Sequence, residues 1–187
     1  ESKHMFSFLF TARGKSAHGN RPWDGVNAIE LLLKTLSNLR KTFPEYTAKP
    51  TSNWVNTLNL GIINGGLAGN EVPAEASMKI DIRIVPPTTK EEVLIAVNNS
   101  VVEGVTFDLI MEGYPTVISK TNPYFIAYCD SIKKYIDSEI KYKQSGGGTD
   151  ARYFSEQGIP VIVHQGTCGD AQGENEYANL KSMQQLI

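Results

Sequence analysis

Met5-Phe6-Ser7-Phe8-Leu9-Phe10-Thr11-Ala12-Arg13 is an apolar and aromatic run closed by Gly14, the pattern of a short strand. A polar loop bounded by glycine and proline follows, Lys15-Ser16-Ala17-His18-Gly19-Asn20-Arg21-Pro22-Trp23-Asp24-Gly25, and then the period changes. Val26, Ile29, Leu32, Leu33, Leu36 and Leu39 recur at helical spacing. Asp24 is the expected N-cap, and Arg40 and Lys41 stand where the helix dipole is negative.

Working outward, residues 54–63 and 76–85 read as strands. They are joined by a glycine-rich loop, residues 64–73, too long for a tight hairpin turn. Thr89 and Glu92 form a capping-box signature ahead of Val93, Ala96, Val97 and Val101, and residues 105–111 read as a last strand. The order β-α-β-β-α-β is the ferredoxin-like split, with two helices on one face of a four-stranded antiparallel sheet.

Residues 1–112 are therefore expected to form one domain and residues 113–187 another. The second stretch alternates a helix at residues 122–136, a short strand at 140–143, the loop Ser145-Gly146-Gly147-Gly148-Thr149, a helix at 150–156, a buried-type strand at 160–163, and a helix opening at Asn179. Two strands would leave an open sheet with bare faces, so this stretch is expected to be an incomplete α/β domain completed by residues outside it.

Length and charge narrow the function classes. A chain of 187 residues with net charge −2 and scattered Lys and Arg lacks the basic face that nucleic-acid binding needs. Neither an aromatic RNA-binding strand nor an apolar run of membrane-spanning length is present, so neither nucleic acid nor membrane is an expected partner. Cys129 and Cys168 show no paired spacing and read as reduced thiols, and the opening Glu1-Ser2-Lys3-His4 has no signal-peptide pattern. A cytoplasmic location is expected.

Several residues could carry chemistry. His18, presented in its loop, could donate to an oxyanion or move a proton, and a histidine that only hydrogen-bonds locally reads equally well. Asn70 could donate to a bound carbonyl or serve turn geometry. Arg83 could clamp a carboxylate or simply pair with Asp81 two residues away on the same strand face. The glycines before Thr149 and Asp150 could gather N–H groups on an anion, or form a plain turn. The acid-rich run from Asp170 to Tyr177 could do acid–base or metal work, or be a solvated loop. His164 reads as a packed histidine, and the three histidines share no zinc-ligand spacing.

Taken in order, Ser16-Ala17-His18-Gly19 with Asn27-Ala28-Ile29, Gly65-Gly66 with Asn70-Glu71-Val72-Pro73, Asp81-Ile82-Arg83, Gly147-Gly148-Thr149-Asp150-Ala151-Arg152 and Asn175-Glu176-Tyr177 closely resemble one family. It is the zinc amidohydrolase family of acetylornithine deacetylase, succinyl-diaminopimelate desuccinylase, aminoacylase and carboxypeptidase-G type enzymes. The resemblance implies a catalytic α/β domain holding two zinc ions, with cobalt or manganese as alternatives, and an inserted ferredoxin-like lid through which members form homodimers. It implies cleavage of the amide bond of small N-acyl amino acids or short peptides by a metal-activated water.

By position, His18 resembles the lid histidine that reaches the partner subunit's site and bonds the scissile carbonyl oxygen. Asn70 and Arg83 match lid residues that hold the substrate's acyl oxygen or carboxylate. Gly148 and Thr149 match the loop that receives the substrate carboxylate. The family's water-activating glutamate and nearly all its zinc ligands belong to an N-terminal half with no counterpart in these residues, so this stretch alone is expected to be inactive. At the family's last histidine ligand stands Gln172, a poor zinc ligand. A non-catalytic dimerisation or regulatory homologue on the same scaffold is the alternative.

Overall fold

The computed structural model describes residues 1–43, 52–135, 140–171 and 173–184, and these form two compact units. One comprises Ser2–Pro115 together with Gln144–Thr149, and the other Glu1, Thr116–Lys143 and Asp150–Ile187.

In chain order the first unit contains β1 (His4–Arg13), β2 (Ala17–His18), α1 (Ala28–Thr42), β3 (Thr57–Gly65), β4 (Glu71–Val72), β5 (Glu75–Ile84), α2 (Lys90–Ser100) and β6 (Val105–Gly113). Its main sheet runs β3-β5-β1-β6, with every neighbouring pair antiparallel. This is the expected ferredoxin-like split. Alternation along β1 and β5 turns Phe6, Phe8, Phe10, Met78, Ile80 and Ile82 to one face, where Leu32, Leu36 and Leu39 of α1 and Val93 and Val97 of α2 complete a single core. The opposite face of β5 carries Ser77, Lys79, Asp81 and Arg83, none of them fully buried.

Helix α1 begins three residues later than its apolar period suggests. Lys15 and Val26 exchange both backbone hydrogen bonds at 2.9 Å, so the chain is still extended at Val26 and cannot yet coil. The cap is Asn27 instead of Asp24: its side chain accepts from the N–H groups of Ile29 at 3.0 Å and Glu30 at 3.3 Å. Asp24 closes a 3-10 turn, and Val26 and Leu33 lie outside the buried stripe, 45% and 48% exposed. Strand β3 likewise starts at Thr57, because the Asn56 side chain turns to accept from the N–H of Val85.

Helix α2 has the capping box as expected. Thr89 Oγ1 accepts from the Glu92 N–H at 3.2 Å and Glu92 Oε2 accepts from the Thr89 N–H at 2.8 Å. Thr89→Ala should lower stability by about 1 kcal/mol in urea unfolding, with an unchanged m value.

The starts of β1 and α2 and the end of β6 meet in a small polar cluster. Neutral His4, 6% exposed, tilted against Phe6 and stacked on Tyr114, donates from Nε2 to Glu112 at 3.0 Å, and Lys90 donates to the other Glu112 oxygen. Burial holds the His4 pKa below that of a free imidazole, against the opposing pull of Glu112 and Glu91 and with the help of Lys90. Between the ordinary and the lowered value the unfolded chain binds the extra proton, so this group's contribution to stability falls as pH drops below about 6.5. Urea midpoints at pH 7.5 and 5.5 should therefore differ less in His4→Gln than in the parent. Equal differences would show that His4 does not couple protons to folding.

The second unit contains α3 (Pro123–Ile132), capped by Asn122, then α4 (Ala151–Glu156), β7 (Cys168–Gly169), β8 (Tyr177–Ala178) and α5 (Leu180–Gln184). The strands expected at 140–143 and 160–163 do not form. A strand exists only through a partner's hydrogen bonds, and the ladder found in this unit among the described residues is the two-residue pair β7-β8.

Candidate functional site

The loop bearing His18 is held against the loop bearing Asn70. Gly14 donates to Ala74 O at 2.7 Å, and a Cβ there would stand 2.0 Å from the Val26 carbonyl oxygen, so this corner admits only glycine. Strands β2 and β4 then pair antiparallel, His18 opposite Glu71, with Ser16 donating to the Glu71 carboxylate at 2.7 Å. At the tip Gly19 donates to Asn70 O at 2.7 Å, and a Cβ on Gly19 would press within 2.9 Å of the Asn70 backbone.

His18 and Asn70 thus become neighbours, and both are exposed. His18 Nδ1 accepts from the Asn20 N–H at 3.2 Å. In the neutral ring that bond places the proton on Nε2, so the imidazole presents an N–H donor outward. The Asn70 side chain has no partner among the described residues, which leaves its amide free to donate.

Arg83 lies elsewhere. Its Nε donates to Asp81 Oδ1 at 2.9 Å, the pairing that strand alternation suggested, and its Nη1 donates to Gly146 O, also at 2.9 Å. The glycine-rich segment packs with the sheet unit, bridged in parallel fashion by Ser2 and Ser145, so Gly148 and Thr149 stand on the Arg83 side. Gly148 is exposed and Thr149 half-buried. Lys3, which the sequence reading did not single out, is buried at this end at 4% exposure. Its signal was available in the register: His4 faces the core with Phe6, so Lys3 falls on the other face with Met5, the partner of Arg83.

Two groups result, and they are far apart. Arg13 pairs with Glu75 at one end of β5 and His4 with Ile84 at the other, and the eight residue steps from Glu75 to Arg83 span roughly 26 Å. His18 and Asn70 lie beyond the first end, Arg83 and the glycine loop at the second.

The acid-rich loop of the second unit is used locally. Asp170, at φ 52°, accepts from the Asn175 N–H at 3.2 Å, and its own carbonyl accepts from Gly173 at 2.7 Å. His164 Nδ1 is bonded to the Tyr128 hydroxyl. No three histidine, cysteine or acid side chains converge on a metal position among the described residues, and Gln172 lies outside them. These residues do not by themselves fit a zinc centre.

Residues 1–104, more than half of the chain, match the family described as Peptidase dimerisation domain. The chain belongs to the M20 peptidase dimerisation-domain family. The match falls on the unit that carries the four-stranded sheet, and likeness to M20 proteins continues beyond it. Aminoacylase-1 of Sus scrofa is 28% identical over 163 residues, 81% of this chain and 40% of that protein. Acetylornithine deacetylase of Buchnera aphidicola is 27% identical over 187 residues, covering 94% of this chain and 48% of that protein. Among solved structures, aminopeptidase PepT of Bacillus cereus superposes with TM-score 0.75 at 19% identity, over 98% of this chain and 49% of that one, which shows a shared fold. The M20 chain described here thus spans about half or less of the length of these relatives. No helix among its described residues is long and apolar enough to cross a membrane.

Proposed function

We propose that this chain is the lid and the C-terminal part of the catalytic domain of a zinc-dependent amidohydrolase that cleaves small N-acyl amino acids or short peptides in the cytoplasm as a homodimer. The family and the acylase, deacetylase and peptidase relatives support the reaction class. The observation that carries the rest is the Asn20 N–H bond to His18 Nδ1, which leaves Nε2 to donate, on a loop held to the Asn70 loop by the Gly19–Asn70 backbone bond; two such donors suit a carbonyl oxygen that gains negative charge during attack.

The separation of the two groups supports work across a dimer. A substrate of dipeptide size spans roughly 7 Å, far less than the span between His18 and Arg83 within one protomer. In this reading His18 and Asn70 of one subunit serve the substrate whose carboxylate is held by Arg83, Gly148 and Thr149 of its partner. The metal ligands are assigned to parts of the protein outside the described residues, with Gln172 at most a weak contributor. The chain's own part is to hold the carbonyl oxygen and the carboxylate in place.

The test is hydrolysis of N-acetyl and N-succinyl amino acids and of dipeptides by the full-length protein supplied with zinc, cobalt or manganese. Metal-dependent release of the free amino acid is expected. A dimer that binds no metal and turns over none of these would favour the non-catalytic alternative.

A further inference from the structure

We propose that Lys3, at the start of β1, supplies the net positive charge that selects a carboxylate-bearing substrate at the Arg83 end of the sheet. The inference rests on the substrate reading above and adds a specificity residue outside the motifs that carry the family likeness.

Arg83 is already engaged: its guanidinium is paired with Asp81 at 2.9 Å and bonded to the Gly146 carbonyl. The Asp81 carboxylate offsets the Arg83 charge, so Arg83 can orient a carboxylate through its N–H groups while adding little net charge to attract it. Lys3 has no such offset. It is 4% exposed, and among the described residues its ammonium has neither a hydrogen-bond acceptor nor an ion-pair partner. A nearly buried cation without a counter-ion is costly, and proteins otherwise pair such groups.

Place follows from charge. Lys3 Nζ and Cε lie 3.9 and 4.0 Å from where a Cβ on Gly146 would stand, and Arg83 reaches the carbonyl of that same residue. Lys3 and Arg83 therefore flank Gly146, and burial first, then the nearby Arg83 charge, disfavours the charged form of Lys3. The adjacent Gly147-Gly148-Thr149 backbone is the segment already assigned to a carboxylate. An anion seated there would give Lys3 its missing counter-charge and relieve its repulsion with Arg83. A neutral carboxamide would do neither.

The carboxylate could belong to the amino-acid part of the substrate or to a dicarboxylic acyl group. Three probes separate the cases: N-acetylglycine, N-succinylglycinamide and N-acetylglycinamide, each titrated calorimetrically into the full-length protein. The parent should bind one of the two acids in preference to the neutral amide, and that acid identifies the source. Lys3→Met should cut the preference by about 10- to 100-fold, the range for loss of a hydrogen bond to a charged group, and Lys3→Arg should retain most of it. An acid-to-amide ratio unchanged in Lys3→Met, or absent in the parent, overturns the proposal. Should Lys3→Met fail to fold, the carbon-13 signal of reductively dimethylated Lys3 in the parent decides instead: it should move with the preferred acid and not with the amide, and a static signal refutes the role. Active parent enzyme with an unaltered ratio in Lys3→Met would remove Lys3 alone, whereas a parent inactive on all N-acyl amino acids and dipeptides would remove the substrate reading.

Discussion

His18→Ala in the full-length, metal-supplied protein should lower kcat on its best N-acyl amino acid or dipeptide substrate by about 10²-fold or more, near 2.7 kcal/mol of transition-state stabilisation. The loss should fall on kcat more than on KM, because an outward N–H donor matters most when the carbonyl oxygen acquires charge. Folding should be spared. The ring is exposed and among the described residues its one bond is to the Asn20 N–H, so the unfolding free energy should change by no more than a surface substitution allows, about 0.5 kcal/mol. His18→Gln, which restores a donor at a different reach, should recover part of the rate. If kcat is unchanged in His18→Ala, the donor role is wrong, and with it the pairing of lid and partner site.

Phe8→Ala should destabilise the sheet unit by about 3–5 kcal/mol. Phe8 is fully buried in the middle of the central strand β1, with ring centroids 6.2 Å from Phe6 and Phe10 and 5.9 Å from Phe107, the last nearly edge-on. Removing it deletes both the transferred apolar area and the aromatic contacts, and the helices above it cannot close the gap without distorting the sheet. Against a typical total of 5–15 kcal/mol, that is about a fifth or more of the stability of a domain. The measurement is the urea midpoint with the m value held in view, compared with exposed Lys79→Ala on β5, which should shift by less than about 0.5 kcal/mol. A Phe8→Ala loss below about 1 kcal/mol would mean that this strand is not the centre of the core.

Much of the architecture was legible in local patterns. Alternation in β1 and β5, the leucine period of α1 and the Thr89–Glu92 box are short-range signals, because backbone preference and the direction of successive side chains depend on near neighbours. They were sufficient for the ferredoxin-like order and for the buried faces. The motif around His18 and the Asn70 loop could be marked from residue types alone, since glycines at tight corners and a histidine between strand and helix have local causes.

Other features waited on partners distant in the chain. The start of α1 at Ala28, capped by Asn27, was decided by the Lys15–Val26 pairing, which a helical period cannot foresee. The apolar run at residues 160–163 had the composition of a strand, yet composition cannot supply the neighbouring backbone that makes one. Lys3, Arg83 and Gly146 are separated by 80 and 63 positions, and only the register of β1 on β5, with the return of the chain at Ser145, sets them together. By itself the sequence determined the order of the elements in the sheet unit, the composition of its core face and the family. Tertiary structure decided that His18 joins Asn70 while Arg83 joins the glycine loop at the opposite end, because hydrogen-bond register and loop closure are properties of two segments at once and are encoded in neither alone.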